Sequence, residues 1–363
     1  MSDQKRADSA QNELFLAENA LLSVRNLTVR FKTGYGVVGA VRGVDFDLKK
    51  GKTLAIVGES GSGKSVTVKA LAGLLGENAA IESGSAVLRG PNGEKTDLFS
   101  LKRREMRRQI NGRRIAMVFQ DPMTSLDPTM PIGKQLMEGL RDHLHLGREK
   151  ATEEAVRLLK LVEIPEAESR MRSYPHQLSG GMRQRVVIAM ALSCNPEILI
   201  CDEPTTALDV TIQSRILELI QDLQRKLGLS VIYITHDLGV VAKVADEIAV
   251  MYAGRIVERG LADEIFYDPR HPYTWGLLLA MPDVEMDSGE LYTIPGNPPN
   301  MVGQTVGEPF APRNEYALNI DFRREAPMFK LSETHYAATW LLHEKAPEVA
   351  RPARFGRPPK RLN

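Results

Sequence analysis

The residues best suited to chemistry are Gly58-Glu59-Ser60-Gly61-Ser62-Gly63-Lys64-Ser65, which follow the apolar run TLAIVG and precede SVTVKALAGLL. A strand, a glycine-rich turn and a helix in that order make a phosphate cradle. The glycines let the backbone curl its N–H groups toward the phosphates, and the helix start adds its positive end. Gly58, Ser60, Gly61 and Gly63 are expected to line the phosphates. Lys64 is expected to reach the terminal ones, and the Ser65 hydroxyl to ligate Mg²⁺. A second element, residues 198–203 (ILICDE), is an apolar run ending in two carboxylates. Asp202 suits the shell of the metal, and Glu203 can polarise a water toward the γ-phosphate. Two acids after a strand are commonplace, so their order after the phosphate loop carries the assignment.

These residues need a scaffold, and its parts are legible. Apolar runs at 53–58, 115–119, 198–201 and 231–235 read as buried strands. Their alternation with helical segments predicts a mainly parallel α/β sheet. The earlier runs SVRNLTVRF and GAVRGVDFDL alternate apolar with polar residues and predict an antiparallel β flank. Residues 121–180, richer in helix formers such as GREKATEEAVRLLKLV, predict an inserted helical subdomain. The main domain is thus expected over 21–265, after a polar tail at 1–20. From 266 to 350 the Pro-dense stretches DPRHPYTW and TIPGNPPN announce a small irregular C-terminal extension. Residues 351–363, with five basic groups, no acid and three prolines, predict a disordered, solvated tail.

Composition narrows the function classes. The chain has 363 residues, 43% of them hydrophobic, enough for one large domain with an appendage. A net charge of +1 gives no general pull toward nucleic acid or an anionic membrane. The basic run Lys102, Arg103, Arg104, Arg107, Arg108, Arg113 and Arg114 is expected to be a solvated surface. Cys194 and Cys201 lie in apolar surroundings, as buried thiols of a reducing compartment do. No signal-peptide pattern opens the sequence, and no apolar run approaches the ~18 to 20 residues of a membrane span.

Between the two phosphate-site elements lies Leu178-Ser179-Gly180-Gly181-Met182, followed by Arg183-Gln184-Arg185. LSGG-x-x-Q-R resembles the signature of ABC-type ATPases. The resemblance implies an ABC-type P-loop ATPase fold in which Ser179, Gly180 and Gly181 open a helix aimed at ATP held by the opposite subunit. It further implies Gln120, in VFQDP, as the glutamine that touches Mg²⁺. Thr206-Ala207-Leu208-Asp209 becomes the D-loop, and His236, in YITHDL, the switch histidine. Tyr35 falls where the family carries its adenine-stacking aromatic, with Phe31 as a second candidate. Glu203 would then be the general base, with Lys64, His236 and Mg²⁺ stabilising charge on the transferred phosphoryl. The resemblance implies two subunits that sandwich two ATP molecules; the expected partner is a second, related ATPase chain forming a heterodimer, with a homodimer as the alternative.

GESGSGKS, FQDPMTSLDP, ICDEPTTALDVTIQ and ITHDLGVVA, with HPYT and IPGNPP in the extension, resemble the oligopeptide/dipeptide importer group. That resemblance implies an ATPase on the cytoplasmic face of the membrane. Its partners would be two polytopic membrane subunits and, indirectly, an extracellular peptide-binding protein. Nickel importers share the extension, so metal–chelate import is the alternative. A non-transport ABC ATPase is a lesser one, lacking here its paired domains or coiled-coil insertion. Many relatives carry four cysteines in the extension, in a pattern resembling an iron–sulfur ligand set. Glu308, Asn314, Asp321 and Thr339 stand in those places here. No cluster is therefore expected, Glu308 and Asp321 are expected to be solvated acids, and Phe310, Tyr316, Phe322, Trp340 and Leu341 are expected to pack the extension.

Overall fold

The computed structural model describes residues 16–206, 208–281, 292–303, 306–352 and 355. Most of the N-terminal tail, Ala207 of the D-loop and nearly all of the basic tail lie outside them. The strands are β1 (Ala20–Thr33), β2 (Gly36–Lys49), β3 (Thr53–Val57), β4 (Ala79–Arg89), β5 (Lys95–Asp97), β6 (Ile115–Val118) and β7 (Ile198–Asp202). They continue with β8 (Ser230–Thr235), β9 (Glu247–Tyr252), β10 (Arg255–Leu261), β11 (Phe329–Lys330) and β12 (Tyr336–Ala337). The helices used below are α1 (Lys64–Leu71), α2 (Ile132–Leu144), α3 (Arg148–Leu161), α4 (Gly180–Leu192), α5 (Val210–Leu227), α6 (Leu238–Val244), α7 (Ala262–Tyr267) and α8 (Pro272–Leu279).

One sheet runs β11-β12-β10-β9-β3-β8-β7-β6, with β9, β3, β8, β7 and β6 mutually parallel. Every residue of β3, β7 and β8 is buried, because a parallel strand is covered on both faces and an unbroken apolar run suits it. The second sheet, β2-β1-β4-β5, is antiparallel, as the alternating runs predict. Its buried residues, among them Val24, Leu27, Phe46 and Leu88, share a core with Ile56, Ile200 and Ile234 of the main sheet. On the opposite face, Leu136, Leu140, Ala155 and Leu158 of α2 and α3 pack with Ile188 of α4, Leu199 of β7 and Ile220 of α5. The helical segment is thus fused to the sheet through one continuous core.

The C-terminal extension is irregular over most of its described length, as expected, yet it is tied into the main sheet. Strand β12 pairs with β10 (Glu258↔Ala337, Arg259↔Tyr336), so the extension lengthens the main sheet. His271 explains part of the HPYT signal: its Nδ1 accepts the Tyr273 N–H, which caps α8, and Pro272 occupies the first turn, where its missing N–H costs nothing. Burial drives the His271 pKa down to about 3, so the cap is a neutral acceptor.

Some expectations for the extension are overturned. Glu308 and Asp321 are buried, at 7% and 4% exposure, not solvated. Glu308 N–H donates to the Asp321 carbonyl, and the Asp321 carboxylate is spent accepting the Leu318 N–H. Phe322, on a turn, is 53% exposed, whereas Phe310, Tyr316 and Leu341 do pack inward and Trp340 is half-buried. Within the expected tail, Arg351 ion-pairs with Asp268 and Phe355 is buried in the extension's core.

Candidate functional site

The phosphate loop runs from the end of β3 to the start of α1, and its glycines are required by geometry. Gly58 and Gly63 have φ of 152° and 102°. A Cβ there would lie 2.1 Å from the Met251 carbonyl oxygen and 2.4 Å from that of Ala40. Gly61, at φ 80°, has nothing within 4 Å of its would-be Cβ, leaving that face of the loop open. The loop borders a cleft of about 610 Å³ lined by Gly58, Glu59, Ser60, Gly61, Gly63, Lys64 and Ser65 on one side. Gln120, Glu203, Thr206 and His236 line the other.

Lys64 is 5% exposed, and its Nζ donates to the Gly58 and Glu59 carbonyls at 2.7 and 2.9 Å. Burial lowers its pKa, opposed by Glu203, Asp202 and Glu59. The Ser65 hydroxyl donates to Asp202 Oδ1 at 2.7 Å, which joins the two proposed metal ligands across the sheet. Burial raises the Asp202 pKa while the Ser65 bond opposes it. A hydroxyl and a carboxylate, both oxygen donors beside a phosphate cradle, fit a hard divalent cation of the Mg²⁺ type.

Glu203 is the hub of the opposite wall. Its Oε2 accepts from Gln120 Nε2 at 3.1 Å and from the Thr206 hydroxyl at 3.0 Å, while His236 Nδ1 lies 3.3 Å from Oε1. The residue sits at φ 48°, in the left-handed region that non-glycine residues rarely occupy, held there by its N–H to the Ile234 carbonyl. Strand ends β6, β7 and β8 thus deliver Gln120, Glu203 and His236 to one spot.

Other sequence-predicted residues lie elsewhere. Ser179, Gly180, Gly181 and Asp209 do not line this cleft. Ser179 caps α4 by accepting the Met182 N–H, and Asp209 caps α5 by accepting the Ile212 N–H. Gly181 is buried, and a Cβ on it would come 2.8 Å from Ile212 Cγ2; close helix packing therefore already demands a glycine there. Tyr35 stands on the β1–β2 turn, 93% exposed and outside the cleft lining, while Phe31 packs against the flank core.

Three further residues take part in the site with contacts that their place in the sequence does not announce. Thr206 was legible only as part of TTALD. Leu277 reaches the cleft from α8, and Glu59 is gripped by the extension: its N–H donates to the Tyr273 hydroxyl at 2.8 Å, and its carboxylate receives both arms of Arg313 at 2.6 and 2.9 Å. Local patterns hold no signal for contacts 214 and 254 residues apart. A larger basic groove, about 1310 Å³, is lined by Lys102, Arg104, Arg107, Arg108, Arg113 and Arg141 among others and contains none of the motif residues. Arg114 departs from that run to pair with Glu197 at 2.6 Å.

Comparison with known proteins places the chain in a family. The ABC transporter family model matches residues 41–206, and the model for the oligopeptide/dipeptide transporter C-terminal region matches residues 257–320. The chain is 57% identical over 333 residues to the oligopeptide transport ATP-binding protein OppD of Bacillus subtilis, covering 92% of each. It is 54% identical to the dipeptide transport ATP-binding protein DppD of Lactococcus lactis, covering 92% of this chain and 94% of that one. Among solved structures, the dimeric ATP-binding cassette MJ0796 bound to ADP and phosphate superposes with a TM-score of 0.58 at 28% identity. That match covers 66% of this chain and 98% of the cassette.

Proposed function

Because the chain belongs to the ABC transporter family, among the ATP-binding subunits of oligopeptide and dipeptide transporters, we propose that it hydrolyses ATP to power peptide import by the site just described. The observation that carries this reading is the convergence of Gln120, Thr206 and His236 on the Glu203 carboxylate, across the cleft from the phosphate loop. A carboxylate so oriented accepts the proton of an attacking water. In this reading His236 and Lys64 face the charge that develops on the γ-phosphoryl. Gly58, Ser60, Gly61 and Gly63 receive the phosphates on backbone N–H groups. When bound, Mg²⁺ would neutralise β- and γ-oxygens, held by Ser65 and Asp202 with Gln120 at the shell.

Ser179, Gly180, Gly181 and Asp209 are assigned to a second cleft, completed by another ATPase subunit. Their separation from the phosphate loop's cleft and the dimeric state of the related cassette support this. A related but different chain as that partner would give a heterodimer. Tyr35 is assigned the adenine; its exposure on the hairpin leaves its ring free to stack on a base. No helix among the described residues is long and apolar enough to cross a membrane, so membrane subunits are assigned the path and this chain a peripheral place on the cytoplasmic face. A peptide-binding protein outside would select the cargo.

Replacing Glu203 by Gln in the assembled transporter tests the site. ATP binding is expected to persist while turnover falls by about 10² to 10⁴, the usual contribution of a positioned general base. Near-normal turnover would refute the assignment.

A further inference from the structure

Arg313 of the extension directs its whole guanidinium inward. Its side chain is 5% exposed. Nε donates to the Pro295 carbonyl at 2.8 Å, one arm reaches Glu59 Oε2 at 2.6 Å and the Tyr252 hydroxyl at 3.2 Å, and the other reaches Glu59 Oε1 at 2.9 Å. Glu59 is no bystander: it is the second residue of the phosphate loop and lines the cleft. Its own N–H is taken by the Tyr273 hydroxyl at 2.8 Å. Beneath these contacts Tyr252, Tyr273 and Phe310 pack with ring centroids 4.5 to 5.3 Å apart, which fixes both the hydroxyl and the guanidinium in place.

A carboxylate in a phosphate loop works against the loop's task, since it repels the phosphates that the N–H groups attract. A bidentate guanidinium removes that charge and fixes the side chain's direction in one step. We propose that the C-terminal extension is a positioning device for nucleotide binding: Arg313 neutralises and orients Glu59, and Tyr273 fixes the Glu59 peptide, so the phosphate loop is held in a phosphate-accepting form. The extension, which could have served only to wrap the domain, thereby becomes part of what sets ATP affinity. The inference rests on the phosphate-site reading above.

The test is titration of the full-length chain with a fluorescent ATP analogue, paired with ATP hydrolysis by the assembled transporter. Arg313→Gln, similar in length and neutral, is expected to weaken nucleotide binding about tenfold, the order expected of one uncompensated charge beside several phosphates. KM for ATP is expected to rise accordingly, with kcat changed less than about threefold. Arg313→Lys keeps the charge but loses the fork, and is expected to lie between Arg313→Gln and wild type, about threefold weaker than wild type. The double variant Glu59→Gln/Arg313→Gln, with neither charge, is expected to recover to within about threefold. A purely structural loss would not recover in the double variant, so equal weakness of single and double overturns the proposal, as does wild-type affinity in Arg313→Gln. Should Arg313→Gln fail to fold, Arg313→Lys decides it: a loss of about threefold that Glu59→Gln restores supports the proposal, and wild-type affinity, or a loss that Glu59→Gln leaves in place, overturns it. Lys64→Ala, run in parallel, separates the two readings. Undiminished binding there overturns the phosphate site and this inference together, whereas lost binding there with an unaffected Arg313→Gln overturns this inference alone.

Discussion

Replacing Glu308 by Gln should stabilise the protein at alkaline pH and do little in acid. Glu308 is 7% exposed, its Oε2 has no hydrogen-bond partner, and the nearest cation, Arg255 Nη1, is 3.9 Å away. That arginine is engaged with Glu325 at 2.7 Å, and Glu325 is also paired with Arg42 at 2.5 Å. Burial pushes the Glu308 pKa from 4.5 up to about 7, with Arg255 opposing and Glu325 reinforcing. A carboxyl whose folded pKa exceeds its unfolded one contributes stability that is complete below the unfolded pKa and lost as pH rises through the folded pKa. Raising the carboxyl from 4.5 to about 7 corresponds to about 3 kcal/mol, lost as pH climbs between those values. Glutamine fills the same space without ionising. Urea unfolding of both proteins at several pH values reads the effect directly. The stability difference should shift by about 3 kcal/mol in favour of Glu308→Gln between pH 4.5 and pH 8.5. A difference that stays constant across that range would refute the argument that Glu308 is a buried, poorly paired acid.

How far the sequence reached depended on how local each signal is. The strand–loop–helix around Lys64 was readable because its glycines answer to a conformational demand within a few residues: positive φ and close backbone approach at Gly58 and Gly63. The buried strands β3, β7 and β8 were readable because a strand covered on both faces must be apolar throughout. The order of Gln120, Glu203 and His236 along the chain was equally plain, since each ends or follows such a strand. The hydrogen bonds that gather them at Glu203 were not, because they depend on which strands are neighbours. In the extension, the prolines of HPYT and IPGNPP suggested irregularity, yet Pro272 begins a helix and residues 336–337 extend the main sheet. Two residues of pairing leave no periodicity to detect. Glu308 and Asp321 depart from expectation for a related reason: the type of residue favours solvent, and only the tertiary context buries them.

Ser179→Arg should leave nucleotide binding by the isolated chain intact while abolishing turnover in the complex, because Ser179 lies outside the phosphate loop's cleft. Nucleotide titration together with phosphate release checks it, and lost binding in that variant would contradict a sandwich shared between subunits. The extension is also expected to fold without an iron–sulfur cluster. Its four positions that resemble ligand places hold Glu308, Asn314, Asp321 and Thr339, and a soft cluster needs thiolates. Three of these side chains already have other work: Asn314 accepts the Tyr316 N–H, Asp321 that of Leu318, and Thr339 that of Leu341. Among the described residues no group of three or more histidine, cysteine or acidic side chains is arranged to hold a metal. Here the extension is held by other contacts, among them the Tyr252, Tyr273 and Phe310 rings and the Arg42–Glu325–Arg255 ion pairs. Iron and acid-labile sulfide in anaerobically purified protein should therefore stand at background, with no absorbance band near ~400 nm of the kind thiolate-bound clusters give. Stoichiometric iron would overturn the argument that these four side chains cannot stand in for thiolates.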